Sequence, residues 1–137
     1  MTTISIVTDA PADPATVTEY GDALPELVRA LNHITRHHEA MDYPPDADRL
    51  IRNVSRAASM LPQLLEQVSG WLEAEQAAGR IEMAFGSLFP DPAHAADAAR
   101  MDLEQAQAHA RMLQQALDAA AAVTCDMSGV EDGSDEP

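Results

Sequence analysis

The residues best placed for chemistry are three histidines in the run His33-Ile34-Thr35-Arg36-His37-His38. His33 and His37 are four positions apart, a spacing that brings two imidazoles to one metal ion when both lie on one helix. Both project away from the apolar face of their segment, and no pattern supplies a third and fourth ligand. His38 falls on the apolar face, where we expect it to pack, partly buried. We therefore predict solvent-facing histidines, with a metal or small-ligand site at His33 and His37 as the alternative.

The charged residues exclude several kinds of partner. All eight basic residues are arginine, against 23 acidic residues, and the formal net charge is −15. Such a charge disfavours nonspecific binding to nucleic acid and to anionic membranes. Arg49, Arg52 and Arg56 cluster away from the apolar positions of their segment, and a solvated face that pairs with acids explains them best. A strongly acidic chain also fits a second hypothesis, a nucleic-acid mimic that occupies a DNA-binding protein.

Signs of catalysis are missing from the sequence. Glu19, Asp22 and Glu26 supply half of the paired carboxylates that a helical, magnesium-dependent pyrophosphohydrolase needs, and no second pair follows. The single cysteine, Cys125, has no histidine nearby to activate it, and it excludes an internal disulfide. No triad, phosphate-binding loop or dinucleotide signature occurs. We expect a non-enzymatic protein without a cofactor. The lone thiol, with no recognisable signal peptide or membrane-spanning run, predicts a cytoplasmic location.

The central element, here called α2, is a long helix predicted over residues 46–79. Seven apolar residues recur there at alternating steps of four and three, which places them on one side of a helix and is typical of a coiled coil. These residues, the α2 stripe, are Leu50, Val54, Ala57, Leu61, Leu64, Val68 and Trp71. Ile51, Ala58, Leu65 and Leu72 widen the stripe, and we expect the whole to pack against other helices. Pro62 predicts a kink near 58–61, with a true break as the alternative.

Two further helices are predicted over 16–39 and 91–125. The last begins with Asp91 as N-cap and Pro92 at the first helical position. Its apolar positions also alternate at steps of three and four: Ala96, Ala99, Leu103, Ala106, Ala110, Leu113, Leu117, Ala120 and Thr124. Two such helices joined by residues 80–90, an apolar connector expected to fold back over the bundle end, predict an antiparallel hairpin.

The predicted fold is all-α: an elongated antiparallel three-helix bundle over 16–125, with the first helix along one end of the hairpin. Residues 1–15 are expected to form a flexible leader. Residues 126–137 are polar and acidic, and we expect a disordered tail.

Three segments carry a resemblance: Ala30-Leu31-Asn32-His33-Ile34-Thr35, Leu61-Pro62-Gln63-Leu64-Leu65-Glu66-Gln67, and Trp71-Leu72. Together they resemble a group of uncharacterised small helical proteins of high-GC Gram-positive bacteria, often encoded near mobile-element or regulatory genes. The resemblance covers about residues 24–118. It implies an accessory or interaction role and no catalytic residue.

The leading functional prediction is therefore a helical interaction or regulatory module. One helical face would dock an unknown protein or a second copy of the chain as a homodimer. Nucleic acid and membrane are not expected as partners.

Overall fold

A computed structural model describes residue 3 and residues 5–130 of the 137-residue chain. Three α-helices occur, α1 (Pro14–Ile34), α2 (Pro44–Ala77) and α3 (Pro92–Thr124), with a 3-10 helix at His38–Ala40. Within these described residues there is no strand. The predicted all-helical class, with three helices and a close α2–α3 pairing, is confirmed. The chain divides into two compact units, Met1–Asp42 and Tyr43–Pro137, so the domain predicted over 16–125 contributes α1 to the first and α2 and α3 to the second.

Helix α1 begins as its sequence dictates but ends earlier than predicted. The Asp13 carboxylate accepts a 2.8 Å hydrogen bond from the Thr16 amide, and this bond lowers the pKa of Asp13. The helix then ends at Ile34 instead of residue 39. The reason is local: the backbone of His37 is extended, with φ −92° and ψ 128°, and a 3-10 helix follows. Where α1 lies along the hairpin stays a prediction.

Helix α2 is one continuous helix of 34 residues. It begins at Pro44, two residues before the predicted start, because proline at the first helical positions needs no amide partner. The Asp46 carboxylate caps this end by accepting a 3.2 Å hydrogen bond from the Tyr43 amide. The helix passes through Pro62, so the alternative of a break there is wrong, while the kink stays a prediction.

The end of α2 carries the hydrogen bonds of a Schellman motif. The Arg80 amide donates to the Glu75 carbonyl and the Gly79 amide to the Gln76 carbonyl, both at 3.0 Å. This geometry needs a left-handed residue, which Gly79 supplies with φ 70°. The Arg80 side chain also holds the Glu75 carboxylate through two hydrogen bonds of 2.6 and 2.7 Å. These bonds lower the pKa of Glu75 and fix the point where the chain leaves the helix.

Helices α2 and α3 form the predicted antiparallel hairpin. Three cross-helix pairs define its register: Asp48 with Thr124, Ser55 with Asp118, and Glu73 with Arg100. The residue numbers of each pair sum to 172 or 173, as an antiparallel arrangement requires. The residues buried where the helices meet are small or polar: Ser55, Ala58, Ser69, Gln107, Ala110 and Ala121. Among the described residues no large side chain is fully buried, so the helices approach closely across a thin core.

The side of α2 that contacts α3 differs from the side that was predicted. The residues of α2 that are buried or half-buried along this contact, here called the inner row, are Ile51, Ser55, Ala58, Pro62, Leu65, Ser69 and Leu72. Each residue of the α2 stripe immediately precedes one member of this row, a displacement of about 100° around a helix. Most of the α2 stripe is consequently exposed, and the prediction that it forms the core with α3 is wrong. In the widening set, Ile51, Ala58, Leu65 and Leu72, all four members belong to the inner row.

The two ends of the chain lie only partly within the described residues. The predicted leader, 1–15, has no regular structure at its described residues up to Asp13, and Pro14 already begins α1. In the predicted tail, residues 126–130 are described and not helical, while 131–137 lie outside the described residues. Across the described helices, none combines the length and apolarity needed to cross a membrane.

Candidate protein-interaction surface

The two sides of the α2–α3 hairpin differ in chemistry. In two antiparallel helices, the residues that immediately precede the contact residues lie on one side of the pair, and the residues that immediately follow them lie on the other side. Residues that immediately follow the contact residues in sequence carry the charges. They include Arg52, Glu66 and Glu73 on α2 and Arg100 and Asp118 on α3. Residues that immediately precede the contact residues are apolar along α2, whereas along α3 they include Asp102 and His109 beside Ala106, Leu113 and Ala120. We call this second side the apolar flank: the α2 stripe together with Ala106, Leu113 and Ala120 of α3.

The apolar flank leaves large side chains open to solvent. Trp71 is 62% exposed, and Val54, Leu64, Val68 and Leu113 are each between 41% and 48% exposed. Leu50, Leu61 and Ala106 are half-buried at its inner edge. From Leu50 to Trp71 the surface extends about 32 Å along the helix at 1.5 Å per residue. A continuous exposed apolar surface of this length is typical of a protein-binding site.

Charge is excluded from the α2 part of this side. Its positions between residues 50 and 71 are Leu50, Asn53, Val54, Ala57, Met60, Leu61, Leu64, Gln67, Val68 and Trp71, and none is ionisable. Asp102 and His109 stand at the outer edge on α3. An uncharged centre with a polar rim is the composition found in protein interfaces.

The opposite side is polar and internally paired. Arg100 forms ion pairs with Asp97 at 2.6 Å and Glu104 at 2.7 Å, and a longer one with Glu73 at 3.7 Å. The carboxylates of Asp97 and Glu104 raise the pKa of Arg100. A depression of about 320 Å³ lies here, lined by Glu66, Ser69, Gly70, Glu73, Arg100, Glu104 and Gln107. No buried side-chain polar atom in the described residues lacks a partner, so this side needs no ligand to satisfy it. The nucleic-acid mimic stays a prediction.

A second polar cluster fixes the open end of the hairpin. The Thr124 hydroxyl donates a 2.6 Å hydrogen bond to the Asp48 carboxylate, which also receives a 2.8 Å bond from Arg52. The bond from Thr124, and secondarily that from Arg52, lowers the pKa of Asp48. Two turns further, the Ser55 hydroxyl donates to Asp118 at 2.5 Å. These bonds set the register and so determine which residues form the flank.

The histidines selected from the sequence do not share a helix. His33 lies in the last turn of α1 and His37 beyond it, with ring centroids 5.9 Å apart and edge-on at 77°. Across the described residues no group of three or more His, Cys, Asp or Glu side chains is placed to hold a metal. His38, predicted to be partly buried, is exposed, because α1 ends before it. A metal site at His33 and His37 stays a prediction, and the helical i,i+4 spacing that motivated it is wrong.

The connector between α2 and α3 also differs from expectation. Phe85 and Leu88 are almost completely exposed instead of folding over the bundle end. Ile81 and Met83, earlier in the same connector, are half-buried. Phe85 sits in a turn closed by a 3.1 Å hydrogen bond from the Ser87 amide to the Ala84 carbonyl, with Gly86 at φ 80°. Phe89 is less exposed, with its ring 5.5 Å from that of His94.

The other selected residues have ordinary surface roles. Arg29 pairs with Glu26, and Arg52 with Asp48. Arg49 and Arg56 are exposed. The exposed Cys125 thiol donates a 3.2 Å hydrogen bond to the Ala122 carbonyl.

The sequence shows the flank residues as a periodic apolar set, but it does not show that they are exposed. The signal for exposure was the small and polar residues interleaved with them, Ser55, Ala58 and Ser69, which permit close helix contact.

No known protein family, curated protein or solved structure matches this chain. The resemblance to small helical proteins of high-GC bacteria stays a prediction.

Proposed function

We propose that the α2–α3 hairpin is a non-enzymatic interaction module that docks an apolar helical surface of a protein partner on its apolar flank. The observation that carries this proposal is the exposure of Val68 and Trp71 on the same side of the hairpin as Leu113. Each belongs to a periodic apolar set of the kind that a helix normally buries.

The thin core of the hairpin gives the flank a physical role. The most buried residues of the helix contact are small or polar, and its isoleucine and leucines are only half-buried, so the contact buries little apolar area. Apolar burial contributes about 25 cal/mol per Å². Covering the flank therefore stabilises the hairpin as well as the complex. A partner bound only to the folded state raises the unfolding midpoint by mass action.

Trp71 is the expected anchor of the complex. Tryptophan is enriched among the few residues that dominate binding energy, and Trp71 exposes the largest apolar side chain of the flank. We further propose an accessory or regulatory role in the cytoplasm, where the exposed Cys125 thiol stays reduced.

The experiment is site-specific photocrosslinking of the full chain in its source cells. A benzoylphenylalanine at Val68 should give an intermolecular adduct, whereas the same group at exposed Gln63, outside the flank on the same helix, should give none. Trp71→Ser should reduce the yield at residue 68 at least fivefold. Three results would overturn the proposal: equal adduct yields at residues 63 and 68, only intramolecular crosslinks at residue 68, or no crosslink at residue 68.

A further inference from the structure

We infer that the partner docked on the apolar flank is a second copy of this chain, with two hairpins packing face to face as an antiparallel four-helix bundle. This inference rests on the proposed function, since it names the occupant of the same surface. Its basis is that the flank is complementary to itself about one two-fold axis, on both helices at once.

The α2 stripe pairs with its own copy about Leu61. In an antiparallel pairing centred there, Leu50 lies opposite Trp71, Val54 opposite Val68, and Ala57 opposite Leu64. These residue numbers sum to 121 or 122, as does Leu61 with itself. The largest side chain therefore meets a residue at the far end of the stripe, and the smallest, Ala57, meets a leucine. In a two-fold interface, when residue i of one copy contacts residue j of the other, residue j of the first copy also contacts residue i of the second. The pairs above meet this requirement.

The α3 part of the flank is centred at the same level of the hairpin. Because cross-helix pairs in the hairpin sum to about 173, the position level with Leu61 on α3 is residue 112, adjacent to Leu113. About Leu113, Ala106 lies opposite Ala120 of the other copy, and Leu113 faces itself. Alanines thus flank a central leucine on α3, where a second α3 approaches closely. One two-fold axis near Leu61 and Leu113 therefore suits the apolar positions of both helices, with Asp102 and His109 at the outer edge of the interface.

The area and the charge are consistent with a reversible dimer. A surface about 32 Å long and two helices wide, with axes 8–10 Å apart, covers roughly 600 Å² per copy. Two copies bury about 1,200 Å², at the lower limit of specific interfaces. Each chain carries a net charge of −15, but the α2 stripe carries none. Repulsion between the remaining charges is screened by salt, so dimerisation should strengthen as ionic strength rises. Docking to a basic partner would weaken instead.

The experiment is disulfide trapping of the full chain in a Cys125→Ser background, which removes the native thiol. Leu61→Cys and Leu113→Cys should each form a homodimer under mild oxidation, at least fivefold faster than the matched surface control Gln63→Cys. Sedimentation of the cysteine-free chain should show a monomer–dimer equilibrium that tightens from about 50 mM to about 500 mM salt. Val68→Glu should leave the chain monomeric at every concentration, with a helical circular dichroism spectrum that shows it is folded.

The outcomes separate this inference from the proposed function. If the chain is monomeric at all concentrations and Leu61→Cys is trapped no faster than Gln63→Cys, the inference that the partner is a second copy is overturned. If the adduct at residue 68 then contains a different protein, the interaction module still stands. Absence of both the trapped dimer and the adduct overturns both.

Discussion

Val68 and Ser69 are neighbours in α2, yet Ser69 is 7% exposed against α3 while Val68 is 44% exposed on the apolar flank. A helix turns by about 100° per residue, so consecutive residues face different surroundings. The hairpin buries the polar member of this pair and exposes the apolar one. The same inversion occurs at Val54 and Ser55, nearer the start of the helix. It indicates that a close helix contact takes one side of α2 and leaves an apolar side open.

Enlarging these two neighbours should have different effects. Ser69→Leu adds volume between two closely packed helices and should lower the free energy of unfolding by about 1–3 kcal/mol. Val68→Leu adds volume on an open surface and should change it by less than about 0.5 kcal/mol. Urea unfolding followed by circular dichroism measures both. A larger loss for Val68→Leu would mean that the assigned sides of α2 are reversed.

Shortening Leu65 and Leu64 tests the same assignment by loss of contact. Leu65 lies in the inner row, so Leu65→Ala should cost about 2 kcal/mol or more at any protein concentration. Leu64 is about half exposed, so Leu64→Ala should cost under about 1 kcal/mol in dilute solution. In concentrated solution the cost of Leu64→Ala should grow, because the proposed dimer would bury this side chain. A concentration-independent cost at Leu64 would contradict the dimer.

The sequence predicted the hairpin because its two helices have long apolar periodicity and clear terminal signals. Asp91 caps α3 as expected, and Gly79 ends the turn after α2. The bounds of both helices lie within two residues of the prediction. Such signals are local, since caps and turns depend on a few neighbouring residues.

Periodicity could not say which side of α2 meets α3. The α2 stripe and the inner row both repeat at steps of three and four, and hydrophobicity favours the stripe. The observed contact instead favours Ser55, Ala58 and Ser69, whose small side chains let the two backbones approach. Choosing between them requires the partner helix, which is nonlocal information. The end of α1 was missed for a local reason, because nothing in His33 to His38 marks a helix stop in the way that glycine or proline would.

Two glycines of the hairpin should respond oppositely to alanine. Gly79 holds φ 70° at the end of α2, so Gly79→Ala should destabilise the protein by about 1 kcal/mol. Gly70 lies inside the helix, and no neighbouring atom lies within 4 Å of the place that an alanine methyl group would take. Gly70→Ala should therefore stabilise the protein by about 0.5–1 kcal/mol. Thermal unfolding of the two variants beside the parent chain checks the signs. Shifts of the same sign would contradict the left-handed helix end at Gly79.

The Thr124–Asp48 hydrogen bond should make stability depend on acid pH. It lowers the pKa of Asp48 below its ordinary value of 3.8 in the folded chain. A carboxylate with a lowered folded pKa contributes stability above its unfolded pKa, and that contribution is lost as the pH falls through the folded value. Thr124→Val removes the bond, so the variant should be less stable than the parent at neutral pH. The gap should narrow progressively as the pH falls below about 4.

Asp48→Asn provides the matched background for this measurement, because an amide does not titrate. Urea unfolding of the parent, Thr124→Val, Asp48→Asn and the double variant should be followed from about pH 7 to about pH 3. The pH-dependent part of the Thr124→Val effect should be present only where Asp48 is intact. If the same pH dependence persists in the Asp48→Asn background, the acid sensitivity arises from another carboxylate. The Thr124–Asp48 hydrogen bond would then stabilise the open end of the hairpin independently of the charge on Asp48, together with the Ser55–Asp118 bond.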